Sequence, residues 1–335
     1  MAVSIDIGTM FIISAREEKD DVVFRRQRNA FFVVDNAPGA EDMLLRSKAK
    51  FLKIGDQFFV IGDDAITLAS IMGKPLRRPM SKGVINPTEK DHARTILTEI
   101  IKAVVGKPKG DNETICACIP AEPVDADYNV IYHKAIIERA LREAGYENIM
   151  IINEGMALVH SENPTIETAG GEIAPFSGIG ISFGAGMTNL AFSYRGLELL
   201  SFSAARGGDW VDEQVAKVQD VPIPKVTLCK ETKLDLGIPP LNEMDYALHT
   251  FYRSLLEYVF FQFKSEFKKT DKTIEEEIEI VIGGGTSMPK GFIKMLKTTL
   301  KKVEFPLKVK GVRHATSPAD AVSNGCLINA QAQEG

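Results

Sequence analysis

Three glycine-bearing segments could hold a ligand against bare main chain: Ile5-Asp6-Ile7-Gly8-Thr9, Gly184-Ala185-Gly186-Met187-Thr188 and Ile282-Gly283-Gly284-Gly285-Thr286. In a glycine turn, consecutive N–H groups form a concave nest for an anion with no Cβ in the way. Two such nests suit a polyphosphate. Asp6 ends the apolar run before the first turn, where a carboxylate can hold Mg2+ through its waters, because that hard ion takes oxygen ligands and keeps much of its hydration. A turn-capping aspartate is the plainer use of the same position. Three adjacent glycines sacrifice backbone order, so some group must come close to the main chain there, and a flat adenosine ring is a sensible candidate. The three segments are neither G-x-G-x-x-G nor G-x-x-x-x-G-K-[ST], which excludes a Rossmann site and a P-loop.

The elements that must carry these turns alternate β-rich runs with amphipathic stretches, which argues α/β architecture. Strands are expected at 3–7, 11–15, 31–34, 58–61, 115–119, 149–152, 178–182, 189–194, 197–203 and 279–282. Helices are expected at 92–105, 124–144, 225–236 and 242–267 and after the triple glycine, the helix at 242–267 with a Phe-rich stripe at core spacing. The first two glycine segments each end one apolar run and precede another, Phe11-Ile12-Ile13 and Leu190-Ala191-Phe192, about half a chain length apart. Both read as a β-hairpin with a glycine turn. A duplication would set them on either side of one cleft; two unrelated hairpins would look the same at this level.

Composition narrows the partners. A chain of 335 residues makes roughly two domains at about 150 residues each. With 44% hydrophobic and 25% charged residues it is of ordinary globular composition, and a net charge of −5 gives no electrostatic reason for direct nucleic-acid binding, so a DNA partner would need an adaptor protein. No apolar run approaches the roughly 18 residues that cross a bilayer, and Met1–Asp6 enters a strand at once, so neither a leader nor membrane insertion is expected and a cytoplasmic site is. Four cysteines and five scattered histidines offer neither a disulfide framework nor metal-ligand spacing, and the histidines are expected at the surface or in packing. The run Glu275-Glu276-Glu277 is expected as a solvated tip.

In this order along nearly the whole chain, the pattern resembles the actin, Hsp70 and sugar-kinase ATPase superfamily, and within it bacterial actins of the MreB and MamK type. Supporting segments are Val60-Ile61-Gly62-Asp63-Asp64-Ala65, Arg78-Pro79-Met80-Ser81-Lys82-Gly83-Val84-Ile85, Ile119-Pro120-Ala121, Gly207-Gly208-Asp209-Trp210-Val211-Asp212 and Ser317-Pro318-Ala319-Asp320-Ala321-Val322. The resemblance implies an actin-like ATPase fold: two RNase H-like domains around a cleft holding ATP and magnesium. Domain I would span 1–155, with a small subdomain at about 25–85 and a completing C-terminal helix at about 317–335; domain II would span 156–316. Asp6 would bind the hydrated Mg2+. Gly8, Thr9 and Met10 would cradle phosphate from one side and Gly184, Ala185, Gly186 and Met187 from the other. Gly283, Gly284, Gly285 and Thr286 would lie by the adenosine, with Gly208 at the nucleotide-side turn and Lys230 and Glu231 near the adenine. Glu154 matches the acidic residue that orients the attacking water. Independently of family, hydrolysis needs a group to position water in line with the γ-phosphate, though an ordinary domain-junction carboxylate also fits Glu154.

Three departures bear on activity. Ser182 stands where most of these ATPases carry an aspartate, Met187 replaces the usual threonine, and Phe11 and Ile12 fill a stretch where polar or basic phosphate contacts are common. These changes leave backbone nests but remove side-chain chemistry, so nucleotide binding is expected to survive more surely than fast turnover. Only some thirty residues separate Gly208 from the helix near Asn242, which implies a reduced upper lobe in domain II. The function expected is a filament that assembles head to tail with its own copies under nucleotide control; a non-filament scaffold or assembly factor of the same fold is the alternative. An Hsp70-type chaperone would need a substrate region beyond Gly335, and a small-molecule kinase a catalytic base for its acceptor.

Overall fold

Alternation of Val3, Ile5 and Ile7 with Ser4 and Asp6 makes the first strand, β1 (Ala2–Ile7), in a computed structural model that describes residues 2–19, 21–110, 112–127, 130–162, 165–167, 173–175 and 177–334. The chain divides into two units: Met1–Ile119 with Asn129–Ile151 and Asn329–Gly335, and Pro120–Tyr128 with Ile152–Ile328.

In the first unit β1 pairs antiparallel with β2 (Phe11–Glu18), which pairs antiparallel with β3 (Asp21–Arg28). The chain then forms β4 (Phe31–Asp35), α1 (Ala40–Arg46), β5 (Phe51–Ile54), β6 (Gln57–Ile61) and α2 (Asp63–Met72). These make a three-stranded sheet in the order β4-β6-β5 over a small core of Phe32, Val34, Leu44, Phe58, Val60, Ala65 and Ala69. After the short hairpin β7 (Met80–Ser81) and β8 (Val84–Ile85) come α3 (Lys90–Val105), β9 (Thr114–Ile119), α4 (Val130–Glu143) and β10 (Asn148–Asn153). The main sheet runs β10-β9-β1-β2-β3. Because side chains alternate across a strand, Val3, Ile5, Ile7, Ile12, Ile115 and Ala117 share one face and join Ile96, Leu97, Ile100, Ile101, Ile137 and Leu141 of α3 and α4 in one core.

The second unit opens with α5 (Glu154–Ser161), β11 (Thr165–Glu167), β12 (Ile173–Pro175), β13 (Gly178–Phe183), β14 (Thr188–Tyr194) and β15 (Leu197–Ala204). There follow α6 (Gly208–Gln219), α7 (Ile223–Thr232), α8 (Glu243–Lys268), β16 (Ile278–Gly283), α9 (Phe292–Lys302), β17 (Val309–His314) and α10 (Ala321–Glu334), which belongs to this unit as far as Ile328 and to the first from Asn329. Its sheet runs β15-β14-β13-β16-β17, with β13 and β14 antiparallel and β13 and β16 parallel. Ile181, Phe183, Phe192, Ile280 and Ile282 face the Phe-rich stripe of α8 (Leu255, Leu256, Val259, Phe260, Phe263), which is core as its spacing indicates. On the opposite face Leu158 and Val159 of α5 pack against Val281 and Ala315.

Two expected helices differ. The one expected from 124 is helical from Val130; Pro123 instead bridges to Ser203, and Val124, at the bend that follows, donates its N–H to the Ser203 carbonyl at 2.9 Å. The one expected over 225–236 ends at Thr232. Leu234 and Leu236 are both buried with Asp235 between them, a two-residue period, and Leu236 donates its N–H to the Lys290 carbonyl at 2.7 Å. Strands β3, β5, β7, β8, β11, β12 and β17 lie outside the expected set. Six of the eight residues of β3 are exposed, so the strand is held by its pairing with β2 and carries little apolar signal. Of the histidines, His133 is fully in packing, 1% exposed on α4. Glu275 and Glu277 are exposed, and Glu276 pairs with Arg195 at 2.6 Å on the surface.

Candidate functional site

Both glycine turns close in the same way. Gly8 donates its N–H to the Phe11 carbonyl at 2.9 Å, and Gly184 donates its own to the Met187 carbonyl at 2.9 Å. A Cβ on Gly8 would lie 2.8 Å from that Phe11 oxygen, and one on Gly184 2.9 Å from that of Met187. Both positions therefore need glycine for the same steric reason.

Around the first turn, Asn29 stitches the end of β3 to the loop. Its backbone N–H donates to the Met10 carbonyl at 2.9 Å and its Nδ2 to the Gly8 carbonyl at 2.9 Å, while the residue itself is fully buried. Thr9 is 5% exposed and its hydroxyl accepts from the Gly83 N–H at 3.0 Å, so the Arg78–Ile85 segment holds the turn. Asp6 is half-buried, and the Cys118 thiol donates to its Oδ1 at 3.4 Å. That neighbour follows from the parallel pairing of β1 with β9. A carboxylate oxygen beside a turn of main-chain donors suits a hydrated magnesium ion, whereas a thiol is too soft to be its ligand.

The second unit brings together most of the other expected residues. Helix α6 begins against the turn: the Gly208 N–H donates to the Gly184 carbonyl at 3.0 Å, the Asp209 N–H to the Ala185 carbonyl at 2.8 Å, and the Thr286 hydroxyl also to the Gly184 carbonyl at 2.8 Å. Lys230, side chain 8% exposed, donates to the Gly208 carbonyl at 3.1 Å and to Asp212 Oδ2 at 2.8 Å. Asp212 Oδ2 also accepts from the Thr227 hydroxyl at 2.7 Å, while its Oδ1 is buried without a hydrogen bond among the described residues. Burial pushes the Asp212 carboxyl above its usual range despite the ammonium beside it. Glu231 is exposed on the next position of α7. Met187 is 2% exposed, so its side chain is buried and not open to a phosphate.

The triple glycine divides by position. Gly284 has φ +87°, and a Cβ there would meet the Phe183 carbonyl oxygen at 2.3 Å; the group that comes close is the chain's own backbone. Gly283 packs on Leu158, where a Cβ would lie 2.9 Å from Cδ1, and Gly285 alone has open space on its Cβ side. Packing thus explains two of the three glycines, and Gly285 is the one left for a ligand.

Glu154 is the first residue of α5, whose N-cap Asn153 accepts from the Met156 N–H at 2.7 Å. Its Oε2 accepts from Asn189 Nδ2 at 2.7 Å, and the Ser203 hydroxyl donates to Asn189 Oδ1. Asn189 is 2% exposed and Ser203 fully buried, so a satisfied relay fixes the carboxylate's rotamer. Neither residue was singled out in the sequence, although Asn189 directly follows the second glycine motif; Asn29 and Cys118 likewise emerge only from strand register.

The Volactin family model matches residues 1–330. The chain belongs to the Volactin family. No curated protein matches it. Among solved structures this Volactin chain is similar to a MamK double helical filament, at 16% identity and TM-score 0.70 over 99% of both chains. It is also similar to MreB5 of Spiroplasma citri bound to ADP, at 15% identity and TM-score 0.66 over 99% of this chain and 97% of that one. The ethanolamine utilization protein EutJ from Carboxydothermus hydrogenoformans matches at 16% identity and TM-score 0.52 over 97% and 88%. The fold of this Volactin chain is therefore that of the actin-like ATPases, near the MreB and MamK type, as the glycine motifs suggested.

Proposed function

We propose that the chain is an actin-like, nucleotide-binding protein that assembles head to tail with its own copies into filaments and hydrolyses ATP with magnesium. The observation that carries this reading is the pair of glycine turns, one in each unit, closed by hydrogen bonds of equal length on equivalent strands. Main-chain N–H groups aimed at an anion need no reorganisation, so they suit the polyphosphate whatever side chains surround them. The fold relatives lend support: the MamK chain forms a double helical filament, and MreB5 is bound to ADP.

In this reading the N–H groups of Thr9 and Met10 in the first turn and of Ala185, Gly186 and Met187 in the second take phosphate oxygens, while Gly8 and Gly184 spend their own N–H groups closing the turns. Gly285, with Gly283, Gly284, Thr286, Gly208, Lys230 and Glu231 around it, receives the adenosine. Asp6 holds the magnesium, which supplies neutralisation of phosphate charge. Glu154, held by Asn189, orients a water in line with the γ-phosphate. Head-to-tail contacts that do not close a ring give filaments. No helix among the described residues is long and apolar enough to cross a membrane, and we place the filament in the cytoplasm, with any cargo reached through an adaptor.

Pelleting and electron microscopy with ATP against ADP test this. Polymer that depends on ATP supports it; nucleotide binding without polymer at any salt leaves the scaffold reading, which the buried Ser182 in place of a carboxylate and the ten-residue α7 favour. Glu154→Ala is expected to keep nucleotide affinity and slow phosphate release; unaltered hydrolysis moves the water-orienting role elsewhere.

A further inference from the structure

A nucleoside triphosphate brings a dense negative charge to the first turn, yet the strand that leaves this turn offers only Phe11, Ile12 and Ile13. Cationic side chains reach the same face from the neighbouring strand. Strand register sets Asp6 opposite Ile13, Ile13 opposite Arg26 and Phe11 opposite Arg28, so by alternation Asp6, Phe11, Ile13, Arg26 and Arg28 share one face of the sheet. Ile7 and Ile12 point the other way, into the core.

Arg28 is the last residue of β3 and is half-buried. Its guanidinium carbon lies 4.1 Å from the Phe11 ring centroid, and that of Arg26 lies 5.5 Å from it. The Arg28 backbone is pinned on both sides: its own N–H donates to Asp63 Oδ1 at 3.3 Å, and the next residue is Asn29, with its two bonds to the turn carbonyls of Met10 and Gly8. The Arg28 side chain makes no hydrogen bond or ion pair with the described residues. Stacking engages the flat face of a guanidinium and leaves its N–H groups in the plane, where they match phosphate oxygens two at a time. A cation held by a ring, beside an anion nest, with every side-chain donor unspent, is a prepared phosphate ligand.

We propose that Arg28, stacked on Phe11, binds the polyphosphate of the nucleotide beside the Gly8 turn and supplies the cation that the hairpin itself lacks. This rests on the nucleotide reading above and names a specificity residue within it: Arg28 distinguishes a triphosphate from a monophosphate, and the segment around Gly285 does not need it to receive the adenosine end. Phe11 positions the guanidinium and touches no phosphate.

Calorimetric titration of the full chain with Mg·ATP and with AMP, for wild type, Arg28→Gln, Arg28→Lys and Phe11→Leu, tests it. Arg28→Gln is expected to weaken ATP by about tenfold, the size of one charge-assisted hydrogen bond, and AMP by less than about twofold. Arg28→Lys, a point charge without the fork, and Phe11→Leu, which frees the guanidinium, are expected to fall between. Equal losses for ATP and AMP, or none in Arg28→Gln, would overturn the proposal while leaving the nucleotide reading intact. Wild-type protein that binds neither nucleotide would remove that reading, and this one with it.

Discussion

The two units are built on one plan and spend their buried charge differently. Each has a central strand flanked by an antiparallel hairpin partner, that partner's own antiparallel neighbour and two strands on the other side: β3-β2-β1-β9-β10 against β15-β14-β13-β16-β17. Each caps the carbonyl of its turn glycine, by Asn29 Nδ2 in the first and by the Gly208 N–H and Thr286 hydroxyl in the second. The first unit's ion pair lies away from the turn: Arg16, four positions beyond Ile12, gives Nη1 to both oxygens of Glu113 at 2.6 and 2.9 Å and Nη2 to the Tyr146 hydroxyl at 2.7 Å. The second unit's pair, Lys230 with Asp212, lies against the turn through Gly208. Backbone geometry is thus common to the two halves, while one buried pair lies away from its glycine turn and the other borders it.

Removing one partner of each pair separates these roles. Arg16→Met leaves Glu113, 5% exposed, without its cation and is expected to lower unfolding free energy by about 3–5 kcal/mol in urea titration, with nucleotide affinity of the folded protein unchanged. Lys230→Met should cost stability and also affinity. If Arg16→Met weakens nucleotide as much as Lys230→Met does, the division between the halves fails.

Acid should tell the units apart next. His133 on α4 has both ring nitrogens buried without a partner among the described residues, and burial holds its pKa down at about 4 against an ordinary 6.5. Between these values the unfolded chain binds the proton and the folded chain does not. Stability contributed by the neutral ring is therefore complete above pH 6.5 and is lost as pH falls towards 4, by up to about 3 kcal/mol. In the second unit His249 and His314 each have a ring nitrogen on a carbonyl, of Asp235 and Ser287. Hydrogen exchange at pH 5 should show the first unit opening before the second, and His133→Leu should flatten the acid slope; an unchanged slope assigns acid sensitivity to other groups.

What could be read from residues alone follows the same division between main chain and register. The glycine turns, the buried central strands and the Phe stripe of α8 declare themselves, because steric need and apolar periodicity are local properties. The strand β3 does not, since residues such as Arg25 and Arg26 are exposed and only pairing makes them a strand; Arg28 and Asn29 at its end stayed hidden with it. Cys118 beside Asp6 and Asn189 beside Glu154 are long-range juxtapositions that no window contains. The triple glycine was legible as a close approach, but the approaching group at Gly284 is Phe183.

The turns also differ in the side chain that precedes them, Asp6 in the first unit and Ser182 in the second. If phosphate is held by equivalent main chains and magnesium by one carboxylate, Asp6→Ala should weaken Mg·ATP by about 100-fold in calorimetry, and Ser182→Ala by less than about threefold. Similar losses at both would mean that the metal is shared; unchanged affinity in Asp6→Ala would take the magnesium role from Asp6 altogether.

The smallest effect is the one that restores symmetry. Ser182 is 3% exposed, in register with Asn189 on one side and Gly283 on the other, so Ser182→Asp buries a carboxylate whose strand neighbours carry no charge. Without ligand the variant should be less stable by about 1–3 kcal/mol. A ligand that binds only the folded state offsets such a loss, and Mg·ATP should do so more than ATP in chelator if the new carboxylate meets the ion. Turnover should then rise by a few-fold, because a second carboxylate fixes the metal that carries the phosphate charge. Melting with Mg·ATP against ATP plus chelator, read beside phosphate release, decides it. A variant destabilised equally in both, with unaltered release, would mean that the second turn contributes main chain alone.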